Sequence, residues 1–134
     1  MSLVKIAKGL GVPSSYFLDT TGSATFVCKA SDVRFFDLDG SKVRYGRIGN
    51  TNSDRALEPL LMVYPPRYSS EPMTHGGEEF LYVLQGRMRL TIGERTEHLG
   101  PGDSAHFNSG LRHVWNNESD EELRVLWVGT PRLL

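Results

Sequence analysis

The chain has 134 residues, 39% of them hydrophobic, and a formal net charge of −1 at neutral pH, which suits a single globular domain with its own core. The near-neutral charge argues against a nucleic-acid-binding surface within these residues, because such surfaces are usually basic. The single cysteine, Cys28, cannot form an internal disulfide, and no apolar run approaches the roughly 20 residues that span a bilayer. We therefore predict a cytoplasmic protein that does not contact a membrane.

The first predicted element is a short N-terminal helix within residues 4–18, VKIAKGLGVPSSYFL. Pro13 ends it, because the residue before a proline is pushed toward an extended conformation. The phrase KIAKGLGVPSSYFL resembles the last helix and exit of phage-repressor-like helix-turn-helix domains. That resemblance implies that residues 1–18 are a helical remnant of such a domain with its linker, followed by a second domain at 19–134. The alternative is an ordinary N-terminal amphipathic helix with an approximate apolar face of Val4, Ile6, Ala7 and Leu10.

Beyond a linker at 19–23, short runs rich in β-branched and aromatic residues follow one another, separated by turn residues. The Asp39–Gly40 dipeptide is typical of a hairpin, and Gly86 and Gly93 each mark a turn between two runs. About ten short strands with turns at regular intervals predict an all-β sandwich or barrel. The predicted strands are 24–30, 31–38, 42–48, 58–65, 80–85, 87–92, 94–99, 103–107, 112–117 and 122–129.

Three residues in the second half of the chain have the side chains of a metal site with two histidines and one carboxylate: His75, Glu79 and His113. Alternate residues of a strand share a face, so Glu79 is expected on the same face as Leu81, and His113 on the same face as Trp115. Such a ligand set leaves coordination positions open for a substrate or oxygen. The alternative is a group of polar residues at a barrel mouth, hydrogen-bonded to each other or to water.

These spacings resemble the two motifs of the cupin superfamily, G(X)5HXH(X)3–4E(X)6G and G(X)5PXG(X)2H(X)3N. The resemblance covers residues 65–129 and implies a cupin-2 type barrel, a double-stranded β-helix or jelly roll. It further implies a divalent metal, which would be Fe, Mn, Ni or Zn, and a homodimer. The first motif is matched by His75, Glu79 and Gly86, and the second by Gly102, Gly110, His113 and Asn117.

The sequence departs from both motifs. Met73 stands where the first motif has its first histidine, and Asn108 stands where the second has proline. The opening glycine of the first motif is absent. The thioether of Met73 would be a poor ligand for Mn²⁺ or Fe²⁺, so the predicted metal ligands are His75, Glu79 and His113 alone. The residues predicted to line the ligand pocket are Met73, Tyr82, Trp115 and Asn117.

Taken together, the two resemblances imply a small-molecule-sensing cupin domain of a helix-turn-helix transcriptional regulator. An effector would bind in the barrel and shift the geometry of a dimer, and DNA would be bound only through a domain outside these residues. No catalytic residue is predicted. The alternative is a mononuclear metal-dependent enzyme, either an Fe oxygenase or epoxidase, or an isomerase or epimerase, that uses the same three ligands. A third possibility is a barrel that serves only in dimerisation.

Overall fold

The computed structural model describes residues 26–37, 41–50 and 52–130. The helix predicted within 4–18, the linker at 19–23 and the Asp39–Gly40 turn lie outside these residues. The described residues form nine strands and a single-turn 3₁₀ helix, Ala30–Asp32, which confirms the all-β prediction. Among these residues, no helix has the length and apolar character that crossing a membrane requires.

The strands are shorter than predicted at several ends, and one prediction is wrong. Residues 26–29, within the strand predicted at 24–30, have no regular structure, and the 3₁₀ turn follows them. Residue types that favour strands do not form one there, because Phe26 and Val27 are exposed and bury little apolar surface. The observed strands are β1 Arg34–Asp37, β2 Arg44–Arg47, β3 Glu58–Tyr64, β4 Glu78–Gln85, β5 Met88–Ile92, β6 Arg95–Leu99, β7 Ser104–Asn108, β8 His113–Asn116 and β9 Leu123–Thr130.

The nine strands make two antiparallel sheets, one with the order β1-β2-β3-β9-β4-β7 and one with the order β6-β5-β8. The last strand, β9, lies between β3 and β4, so the end of the described chain joins the first three strands to β4 and β7 within the larger sheet. The buried core contains Leu81 and Val125 from the larger sheet and Leu90 and Trp115 from the smaller one. The two sheets therefore pack face to face around one core, as expected for a jelly-roll barrel.

Alternation along the strands determines which residues reach this core. Buried and partly exposed residues alternate without interruption along β9, and on β4 the residues Glu79, Leu81 and Val83 are buried. Leu81 and Val83 are fully buried, and each contributes about 1.5–3 kcal/mol to stability. Because Glu79 shares their face, the packing of the two apolar residues carries its carboxylate into the barrel.

Gly86 is required at the turn that joins β4 to β5, where a turn was predicted. Its φ is +89°, and a Cβ at this position would lie 2.5 Å from the carbonyl oxygen of Glu122. Only glycine combines this left-handed backbone with so close an approach to another chain segment. The close approach packs this turn against Glu122 and Leu123, at the start of β9, the strand that pairs with β4.

Candidate metal centre

Backbone hydrogen bonds bring the three predicted ligands together. Glu79 belongs to β4 and His113 begins β8. The extended segment before β4 is joined to β8 because Met73 and His113 exchange two N–H···O bonds of 3.0 Å. The N–H of His75 donates to the carbonyl of Ser109, at 2.9 Å. The segment that carries His75 is thereby attached on both sides of the turn between β7 and β8.

The ligand atoms of the three side chains lie close enough together for one metal ion to contact all three. Nε2 of His75 lies 3.1 Å from Oε2 of Glu79, and Nε2 of His113 lies 3.4 Å from the same oxygen. One potential ligand atom from each side chain lies within 4.8 Å of the others. Ligand atoms about 2.0–2.2 Å from a metal, at octahedral or tetrahedral angles, are about 3.0–3.5 Å apart. The two separations from Oε2 of Glu79 lie in this range, so the three residues could hold a single divalent ion.

The imidazole of His113 is oriented as a metal ligand. Its Nδ1 lies 2.7 Å from the carbonyl oxygen of Leu111, so Nδ1 carries the proton and Nε2 presents its lone pair. The side chain is fully buried, and within the described residues Nε2 has no hydrogen-bond partner. A buried nitrogen without a partner is costly, and coordination to a metal would satisfy it.

Glu79 supplies the negative charge of the site. Burial raises the pKa of its carboxyl group, but hydrogen bonds from His75, Trp127 and Ser109 outweigh burial, so the pKa is lowered from its ordinary value. Oγ of Ser109 donates to Oε2 at 2.7 Å, and Nε1 of Trp127 donates to Oε1 at 3.0 Å. Glu79 is therefore an anion at neutral pH, as a metal ligand must be.

Met73 lies beside the three ligands without adding a fourth nitrogen or oxygen. It is directly opposite His113 in an antiparallel bridge, and opposite residues of such a pair point to the same face with Cβ atoms about 4.5–5.5 Å apart. The partly buried Met73 also packs against the core. Two imidazoles and one carboxylate suit Zn, Fe, Ni or Mn and leave positions open for another molecule.

Two other predicted pocket residues differ in where the structure places them. Trp115 follows His113 by two residues on β8, faces the interior, and is 3% exposed. Its Nε1 has no hydrogen-bond partner among the described residues. The structure does not bring Tyr82 to this site, since Leu81 and Val83 face inward and Tyr82 between them faces outward, 37% exposed.

Asn117, also predicted to line the pocket, instead holds the loop after β8. Its side-chain amide donates to the carbonyls of Pro65, at 3.0 Å, and Glu121, at 2.7 Å. Its side-chain oxygen accepts from both the backbone N–H and the hydroxyl of Ser119. Both donors and the acceptor of this buried amide are occupied within the protein, so Asn117 has a structural role.

The substitution Asn117→Ala is expected to lower the free energy of unfolding by about 2–3 kcal/mol, because it removes all four hydrogen bonds of this buried side chain. Urea denaturation followed by circular dichroism measures the loss. The neighbouring Asn116, which makes one exposed hydrogen bond to Ser69, provides the control, and Asn116→Ala should cost less than about 1 kcal/mol. Equal losses for the two variants would contradict the structural role of Asn117.

Sequence reasoning missed two residues of the site, Ser109 and Trp127. Ser109 precedes Gly110 of the second motif, so its position near a ligand could have been inferred from that motif. Trp127 had no such signal, because it is 48 residues from Glu79 in the chain and reaches it only through the pairing of β4 with β9.

Comparison with known proteins identifies the family. The sequence profile of the cupin domain, Cupin_2, matches residues 60–129, more than half of the chain. This chain belongs to the cupin domain family. The chain is 34% identical over 134 residues to the HTH-type transcriptional regulator PuuR of Escherichia coli (strain K12), a match that covers 97% of the chain and 71% of PuuR.

Similar solved structures confirm the predicted fold. The polyketide cyclase RemF from Streptomyces resistomycificus has a TM-score of 0.66 and 25% identity, with 77% of each chain covered. The Cupin_2 domain of an XRE family transcriptional regulator from Enterobacter cloacae has a TM-score of 0.61 and 17% identity. That match covers 69% of this chain and all of the other. At 17% identity it shows a shared fold alone.

Proposed function

We propose that this cupin domain senses a small molecule on behalf of a transcriptional regulator that binds DNA through a helix-turn-helix domain. The observation that carries the proposal is the 34% identity to PuuR over 97% of the chain. A divalent ion held by His75, Glu79 and His113 would anchor the effector in the barrel. Since the regulator acts on DNA, we place it in the cytoplasm, and we expect it to act as a homodimer.

The side chains around the site support an effector with two polar ends. Open coordination positions on the metal would bind an oxygen or nitrogen of the effector. The unpartnered Nε1 of Trp115 lies on the same face of β8 as His113, one strand repeat or about 6.5–7 Å along it. This N–H would donate to an acceptor at the other end of the effector. An effector that satisfies both groups would bind with the selectivity that buried polar atoms impose.

Effector binding would alter the parts of the barrel that hold the ligands. His75 is attached to Ser109, and Met73 to His113, by backbone hydrogen bonds. A molecule that draws the metal ligands together would therefore displace both β8 and the segment before β4. We propose that this displacement changes the geometry of the homodimer, and that the altered dimer couples the effector site to DNA affinity.

A thermal-shift screen of metabolites against metal-reconstituted protein tests this proposal. A true effector at 100 times its Kd adds about 2.7 kcal/mol of stability. Trp115→Phe should then weaken the affinity for that compound about tenfold, because one hydrogen bond to a buried donor is lost. Val114→Ala, on the outer face of β8, is the control and should bind the compound as the wild type does. Equal binding by the wild type and Trp115→Phe would contradict the role of Trp115.

One observation favours a second function. RemF, at 25% identity over 77% of each chain, is described as a polyketide cyclase. In an enzyme, the same ion would act as a Lewis acid that polarises a carbonyl oxygen of the substrate. Mass spectrometry of each compound that binds, after incubation with the metal-loaded protein, distinguishes the two functions. Compounds recovered unchanged support the sensor, and a converted compound supports the enzyme.

A further inference from the structure

The indole ring of Trp127 occupies the space that a side chain at residue 129 would fill. A Cβ at Gly129 would lie 2.3 Å from Cη2 and 2.7 Å from Cζ2 of that ring. Real Cβ atoms do not approach other atoms so closely, and these ring atoms belong to a rigid side chain that is 5% exposed. Glycine at 129 is therefore needed to accommodate the ring, independently of any turn.

The pairing of β9 with β4 explains why the indole ring of Trp127 reaches Glu79. Gly129 is opposite Glu79, and Trp127 is opposite Leu81, so all four residues belong to the inward face. The indole extends from Trp127 past Gly129 toward the carboxylate, and its Nε1 donates to Oε1 of Glu79 at 3.0 Å. A side chain at residue 129 would displace the indole and prevent this hydrogen bond.

The two oxygens of Glu79 have different surroundings as a result. Oε1 accepts the hydrogen bond from Trp127. Oε2 faces the nitrogens of His75 and His113, at 3.1 and 3.4 Å, and also accepts from Oγ of Ser109 at 2.7 Å. Because the rigid, buried indole fixes the position of Oε1, Oε2 is the oxygen presented to both histidine nitrogens, where a metal would bind.

We propose that Trp127 and Gly129 are positioning residues that make Glu79 a one-oxygen ligand, with Oε2 directed at the metal. The inference rests on the proposed metal site and extends it. In a six-coordinate ion, three single-atom ligands leave three positions open, whereas a two-oxygen carboxylate would leave two. The tryptophan and glycine thereby preserve a coordination position for the effector.

Three variants test the proposal with Co²⁺ as the probe. Trp127→Phe removes the N–H but keeps an aromatic ring, and Gly129→Ala displaces the indole. Both should weaken Co²⁺ binding by roughly 10–100-fold, the usual effect of removing a group that orients a ligand. The double variant should recover the stability that Gly129→Ala loses, since phenylalanine lacks Cη2 and Cζ2 of the indole, but should not recover Co²⁺ affinity. Val128→Ala, on the outer face of β9, is the control.

A crystal structure of metal-free Trp127→Phe separates this inference from the proposed function. A Glu79 carboxylate turned away from the wild-type orientation supports the positioning role, and an unchanged orientation overturns it. If the wild-type protein binds no Co²⁺, the proposed metal site fails, while the orientation of Glu79 in this variant still decides the inference. Recovery of Co²⁺ affinity along with stability in the double variant would also overturn it.

Discussion

His113→Ala is expected to lower the affinity for Zn²⁺ or Ni²⁺ by more than about 100-fold, measured by isothermal titration calorimetry. Removing a residue that only orients a metal ligand costs about 10–100-fold, and His113 is itself a proposed ligand. Its Nε2 is buried, without a hydrogen-bond partner among the described residues, and 3.4 Å from Oε2 of Glu79. Glu79→Gln should cause a similar loss, because it removes the negative charge and keeps the size of the side chain.

His106→Ala is the matched control for the loss of a histidine. His106 is on β7, its side chain is 61% exposed, and it contacts Glu78 at 2.9 Å on the outside of the barrel. Its removal should leave metal affinity unchanged. Far-ultraviolet circular dichroism verifies that each variant keeps the β fold. Metal affinity that survives His113→Ala in a folded protein would contradict the proposed ligand set.

Met73→His is expected to raise the affinity for Ni²⁺ and Mn²⁺ about tenfold or more. The new imidazole would stand opposite His113, on the same face, and would replace a thioether that binds Mn²⁺ poorly. It would also restore the HXH pair of the first cupin motif. Competition with a chelator of known affinity measures the gain.

Met73→Leu is the control for this substitution, because it keeps a flexible apolar side chain of similar volume. It should bind Ni²⁺ and Mn²⁺ as the wild type does. A gain in both variants would mean that packing at residue 73, rather than a new nitrogen ligand, changes the affinity. No gain with Met73→His would mean that residue 73 lies outside the reach of the metal.

The clustering of His75, Glu79 and His113 was predictable because the motif spacing reflects turns and strands of defined length. Two glycines between His75 and Glu79 allow the chain to bend, so that both side chains face the same point. The barrel followed from the number of short strands and from the turn at Gly86. In contrast, residues 26–29 have the composition of a strand without strand structure, because composition does not report whether a partner strand is present.

Contacts between distant strands account for what the sequence did not predict. The alternation that places Glu79 inside the barrel also places Tyr82 outside, and this depends on which face of β4 is buried. Asn117 matches a motif position, yet its hydrogen bonds to Pro65 and Glu121 depend on the path of two loops. The bond from Trp127 to Glu79 depends on the register of β9 against β4, which no local pattern specifies.

Anomalous X-ray diffraction at the absorption edge of a reconstituted metal, from crystals of the wild-type protein, tests the metal site most directly. We predict one peak per chain, bound to Nε2 of His75, Oε2 of Glu79 and Nε2 of His113. The absence of a peak, or a peak bound by other residues, would contradict the metal site.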